Sequence, residues 1–191
     1  MKKISAIILA LTMVFSLAAC GSSEQKPDSA PELQIASAEE LLNSVWDKVS
    51  EDQKFPVAGG DMDNMQEDKA GNFSLENMDL VTSVLHLSQD TAASVSEAAS
   101  MINAMNANTF TAVAVKLNEG VNAEEFVNAV KSDVEGTQWM CGFPEYLVVY
   151  TVGDYVVYVI GAADLTTGVF KTAIETAYGE NAHLALEQTL S

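Results

Sequence analysis

The chain has 191 residues, with 9 lysines, no arginine and 27 acids for a formal charge of −18, and 48% of its residues are hydrophobic. That apolar content excludes a disordered chain, and the acidic balance excludes nucleic acid as a partner, because neutralising a phosphate backbone takes clustered Lys or Arg. The absence of arginine also removes the bidentate clamp on carboxylates and phosphates.

The N-terminus reads Met1-Lys2-Lys3, then an apolar run from Ile4 to Leu17 broken only by Ser5, Thr12 and Ser16. This run is shorter than the roughly 20 residues that cross a bilayer, and its basic start fits an export signal over residues 1–19. Leu17-Ala18-Ala19-Cys20 resembles the bacterial lipobox. The resemblance implies that the Cys20 thiol receives a diacylglycerol and that the chain is cut before Cys20. Two acyl chains on one residue supply the double signal that stable membrane attachment needs. The expected product is anchored to the cell membrane through Cys20 and faces outside the cytoplasm. It keeps seven lysines against 27 acids, a formal −20. Cys141 is then the remaining thiol, so no intramolecular disulfide is expected.

Residues 20–35 are rich in Ser, Glu, Gln and Asp with Pro27 and Pro31, and read as a flexible tether. Residues 36–191 read as a single α+β domain. Ser37-Ala38-Glu39-Glu40 forms a capping box before Leu41, Leu42, Val45, Trp46 and Val49, which predicts a helix from Ser37 to Asp52. Phe55-Pro56 ends it, and a polar loop follows to Asn72. Ser74 is placed to cap a short helix bearing Leu75, Met78, Val81 and Leu85, although the same residues alternate as a strand would. From Thr91 to Ala107, Val95, Ala99, Ile102 and Met105 recur at helical spacing, so helix is expected to give way to strand near Met101. Phe110 to Leu117 reads as a strand.

Asn122 caps the next helix, with Glu125 at the reciprocal position, Phe126, Val130 and Val134 as its apolar stripe, and Gly136 at its close. Tyr146–Val152 and Tyr155–Ala162 flank Gly153-Asp154, the strongest hairpin signal in the chain. Valine and tyrosine on both faces predict central strands covered on both sides. Asp164 is expected to cap a last helix with Leu165, Val169, Ala173, Ile174 and Ala177 inward and Gly179 beyond it. The expected architecture is an antiparallel sheet of four to five strands with helices packed on one face. Residues 101–136 and 146–179 both read strand, strand, helix, which suggests a duplicated ββα unit.

With Gln138-Trp139-Met140-Cys141, the Gly153-Asp154 hairpin and the Thr109–Lys116 strand in view, residues 95–175 resemble a family of small lipoproteins of Gram-positive anaerobes. That family is catalogued as a domain of unknown function. The resemblance implies an extracytoplasmic lipoprotein and supplies no functional residue.

Trp139-Met140-Cys141-Gly142-Phe143-Pro144 lacks the resolving thiol of a Cys-x-x-Cys redox pair, so a buried, inert Cys141 is expected. Asp61 to Asp68 alternates oxygen ligands after Gly59-Gly60 but departs from the calcium-loop pattern at Met65, Gln66 and Asn72, and reads as a solvated acidic loop. His86 and His183 accompany no metal-ligand spacing, and the nucleophile-elbow and phosphate-loop patterns are absent. No cofactor, metal or catalytic residue is therefore expected. Tyr146, Tyr150, Tyr155 and Tyr158 form the most suggestive cluster: a recognition patch for peptide or sugar, set against core and cross-strand packing. The expected function is a non-enzymatic binding or accessory module of the cell envelope. The alternatives are a small-solute or cation-binding lipoprotein, or an envelope enzyme using carboxylates that carry no motif.

Overall fold

The computed structural model describes residues 33–140 and 142–190. The export signal, Cys20, most of the tether and Cys141 lie outside the described residues. Leu33 and Ile35, assigned to the tether, pack against the core, so the folded part begins before residue 36.

Among the described residues, the architecture is α+β, an open antiparallel sheet of eight strands with helices on both faces. In chain order the elements are α1 (Ala38–Trp46), β1 (Val57–Gly59), β2 (Gln66–Glu67), β3 (Gly71–Asn72) and α2 (Met78–Leu80), which runs into a π-helical turn over Val81–Leu85. Then follow α3 (Gln89–Ala92), β4 (Val95–Asn103), β5 (Phe110–Leu117), α4 (Ala123–Glu135), β6 (Tyr146–Val152) and β7 (Tyr155–Gly161). A π-helical segment over Asp164–Phe170 leads into α5 (Lys171–Tyr178), and β8 (Ala182–Thr189) closes the chain. The strand order is β2-β1-β4-β5-β7-β6-β8, with β3 also paired to β4.

The expected four to five strands undercount the sheet. β1, β2 and β3 have two or three residues each inside the polar loop, too short to show alternation. β8 is an edge strand with most of its residues exposed or half-buried, and it lacks a clean apolar period.

Side chains alternate across the sheet, and each face has its own core. On one face Ala99, Met101, Phe110, Ala112, Val148, Tyr150 and Val157 meet α1 and α5. On the other, Val113, Val115, Leu147, Val149, Val156, Tyr158 and Ile160 meet the π-helical turn and α4. Helices on one face only were expected, and the structure corrects this. Both ββα orders are present, yet β5 pairs antiparallel with β7, so the two-fold that exchanges the halves stands perpendicular to the sheet and keeps each helix on its face. α4 and α5 lie on opposite faces, so the halves are not related by that rotation.

Ser37 caps α1, its side chain accepting from the Glu40 N–H (3.0 Å). Glu97 on β4 reaches the same helix end and accepts from the Ala38 N–H at 2.7 Å. α1 buries Leu41, Leu42, Val45 and Trp46, each worth about 1.5–3 kcal/mol of apolar transfer. It stops at Trp46, short of Asp52, because Lys48 and Val49 close back on Val45 and Trp46 in tight turns. The second helix is capped by Asn77, not Ser74.

Val95–Asn103 is strand throughout, where helix was expected up to Met101. It lies between β1 and β3 on one side and β5 on the other, and this pairing overrides alanine's helical preference. The hairpin of β6 and β7 turns at Gly153-Asp154 as expected, with Gly153 at φ +57. Gly161 is required for a different reason: a Cβ there would lie 2.1 Å from the Thr109 carbonyl oxygen.

Candidate functional site

The four tyrosines do not form a surface. Tyr150, Tyr155 and Tyr158 are buried, with Tyr150 and Tyr155 on one face and Tyr158 on the other, while Tyr146 is half-buried. Tyr155 faces Val152 and lies diagonal to Tyr150, which pairs with Val157. Tyr150, Tyr155 and Tyr158 work as core. The Tyr150 hydroxyl donates to Glu175 Oε1 (2.7 Å), and burial followed by the neighbouring Glu175 holds it far above the ordinary phenol range.

The acidic loop is built around Asp61 and is not simply a solvated run. Asp61 is buried; its Oδ1 accepts from the Asp63 and Asn64 N–H groups and from Asn64 Nδ2, and its Oδ2 accepts from the Ser74 N–H at 2.6 Å. Burial works to raise this carboxyl, but the bonds from Ser74, Asn64 and Asp63 outweigh it and hold it below the usual range. Asp61 is thus an Asx-type loop organiser. No group of three or more His, Cys, Asp or Glu placed to hold a metal occurs among the described residues.

The residues that do converge are His86 and Trp139. The π-helical turn buries Val81 and Leu85 and ends at His86, which adopts the left-handed conformation at φ 56 and ψ 36. A residue other than Gly there is uncommon, with Asn, Asp and His the side chains that adopt it most readily, and π-turns recur at functional positions. The turn is pinned from beneath: the fully buried Tyr158 hydroxyl donates to the Leu85 carbonyl at 2.7 Å. It is pinned from the side by the Ser88 N–H, which donates to Asp133 Oδ2 on α4 (2.8 Å). After Gly136 ends α4, the chain brings Trp139 over the imidazole, ring centroids 4.6 Å apart.

A groove of about 660 Å³ runs between this turn and the C-terminal end of α4, lined by Thr82, His86, Ser88, Asp133, Thr137 and Trp139 among others. Its size falls in the range of small-ligand sites. Most of its polar groups are already committed. Thr82 Oγ1 donates to the Leu87 carbonyl, Thr137 Oγ1 donates to the Asp133 carbonyl, and Ser88 Oγ meets Thr91 Oγ1 and the Thr91 N–H.

His86 is the exception. Its Nδ1 is sealed from solvent without a hydrogen-bond partner, and burial lowers its pKa from 6.5 to about 4, so the ring is neutral at pH 7. A bare lone pair at that position costs less than an orphaned N–H, which puts the proton on Nε2. His183 lies on the exposed edge strand β8, opposite Thr151, and takes no part in the groove. Sequence reasoning weighed His86 and Trp139 separately. They stand 53 positions apart, and only the packing of α4 beside the π-turn joins them.

Comparison with protein-family models, with curated proteins and with solved structures returned no match. No helix among the described residues is long and apolar enough to cross a membrane.

Proposed function

We propose that the chain is an exported, lipid-anchored binding module of the cell envelope, non-enzymatic, whose binding site is the groove between the π-turn and Trp139. The observation that supports binding over catalysis is the state of the groove's polar groups. Asp133 and the hydroxyls of Thr82, Ser88 and Thr137 are bonded within the fold, and His86 has no carboxylate hydrogen-bonded to it. General-base work by histidine wants a proton acceptor near pH 7 with a partner that orients it, whereas this imidazole is desolvated to about 4 and packs at a tilt of 46° against Trp139. Such a pair presents an aromatic face and one N–H donor, a recognition element.

The anchoring half rests on Leu17-Ala18-Ala19-Cys20 and the basic, apolar segment before it. Fractionation of cells expressing the chain tests it. The unaltered protein is expected in the membrane fraction and the Cys20→Ser variant in the precursor form or released; an unchanged, processed membrane pool of the variant contradicts lipid anchoring.

A further inference from the structure

The groove between the π-turn and α4 carries charge of one sign. Among the described residues that line it there is no lysine, the chain has no arginine, and burial keeps His86 neutral, so Asp133 is its one ionised side chain. Asp133 is half-buried, and its Oδ2 accepts from the Ser88 N–H at 2.8 Å. No hydrogen bond or ion pair reaches its Oδ1 among the described residues, where the ion pairs are Lys54 with Glu51 and Lys171 with Glu187. Lys131, the nearest lysine in sequence, stands two positions away on α4, and residues so spaced do not face each other on a helix. The charge of Asp133 is also felt inside the fold: burial first, and then this carboxylate, raise the Tyr158 phenol.

Several hydroxyls of the groove have already given away their protons. Thr82 Oγ1 donates to the Leu87 carbonyl, Ser83 Oγ to the Leu80 carbonyl (3.4 Å) and Thr137 Oγ1 to the Asp133 carbonyl. A hydroxyl oxygen that has spent its proton offers a ligand only lone pairs. The Asn108 Nδ2 gives one of its two protons to the Gly142 carbonyl at 3.0 Å. The donors left are its second proton, the His86 Nε2–H, the exposed Ser132 hydroxyl and the exposed Gln138 amide. Ser132, Gln138 and Asn108 accept as readily as they donate, so charge decides which ligand fits. An anion is opposed twice, by Asp133 and by the formal −18 of the whole chain. A cation that carries N–H groups meets a carboxylate and spent hydroxyls, and charge-assisted bonds of that kind are the strong ones. Trp139 adds an apolar, electron-rich face, its ring centroid 4.6 Å from that of the neutral imidazole, and a cation within about 6 Å of such a face is attracted to it.

We propose that the groove takes a small organic ammonium ion, a protonated amine whose N–H groups bond to Asp133 and to hydroxyl oxygens beside it while its apolar body lies against Trp139. This rests on the reading of the groove as the binding site and adds the class of ligand.

Phenethylammonium is the probe, with 2-phenylethanol, 3-phenylpropionate and methyl β-glucoside as its neutral, anionic and sugar counterparts. NMR titration of the full chain is expected to give a Kd of about 1 mM or tighter for the ammonium and binding at least about tenfold weaker for the other three. Asp133→Asn removes the charge and keeps an acceptor for the Ser88 N–H, and Trp139→Leu removes the aromatic face. Each is expected to weaken ammonium binding about tenfold or more. Asp154→Asn removes the same charge from the exposed hairpin turn and leaves the affinity unchanged, which separates a site from general attraction to an acidic chain. Circular dichroism melts confirm that the variants fold. Undiminished binding by Asp133→Asn, or an equal loss in Asp154→Asn, overturns the proposal. If the alcohol, the carboxylate or the glucoside binds as tightly as the ammonium and Trp139→Leu abolishes it, the ligand class falls and the groove stands as the binding site. If none of the four probes binds, both fall.

Discussion

His86 concentrates the unusual chemistry of the domain in one residue. Its folded pKa of about 4 lies below the free value of 6.5, so between those limits the unfolded chain takes up a proton that the folded chain refuses. Stability attributable to His86 is intact above pH 6.5 and falls as pH drops toward 4. His86→Asn keeps a residue that tolerates the left-handed backbone and removes the titration. Urea midpoints measured from pH 7 to 4.5 are expected to fall less steeply for the variant than for the parent. Equal slopes would show that the imidazole is not desolvated. The tyrosines show the limits of reading residues from sequence. Their positions on the hairpin were legible, but the rings reach solvent only if nothing covers the sheet. Helices on both faces cover it, and α5 even supplies the Glu175 acceptor for Tyr150.

At the scale of elements, local signals were sufficient where the cap and the apolar stripe lay next to each other. α4 with Asn122 and the β6–β7 hairpin with Gly153 stand where their residues place them. They were insufficient where a distant strand decides. Ala98 and Ala99 favour helix in isolation, yet β4 is built because β1, β3 and β5 pair with it, and the small Ala99 lets α1 sit close on that face. The last helix shifted for a related reason. Its first turns are π-helical, which brings Thr166 and Phe170 to the core while Leu165 and Val169 sit at its margin. A long-range cap makes an element-level prediction. Glu97 on β4 accepts from the Ala38 N–H at the start of α1, so Glu97→Ala is expected to cost about 1 kcal/mol, read as a lower denaturation midpoint with unchanged m-value. No change in midpoint would mean that Ser37 alone caps the helix.

For the molecule as a whole, charge and shape divide the surface. The acids lie largely on helix faces and in loops such as Asp61–Asp68, while the two segments that join β4 to β5 and α4 to β6 carry almost none, although Glu145, Asp164 and the Glu51–Lys54 loop stand at the same end of the sheet. The overall acidity was legible in the sequence. The meeting of these two loops was not, because β5 and α4 separate them in sequence and they meet only through the pairing of β5 and β6 with β7. The groove of His86 and Trp139 opens beside the same loops, with Asn108 and Met140 on its rim. The groove and these loops thus share one end of the strands, opposite the end where Leu33 packs beside Gly153. Attachment at Cys20 is the central claim of the proposed function. Intact-mass measurement of the protein extracted from membranes tests it most directly. The expected species begins at Cys20 and carries the added mass of a diacylglyceryl group; a species that retains Met1, or one that begins elsewhere without lipid, contradicts the account.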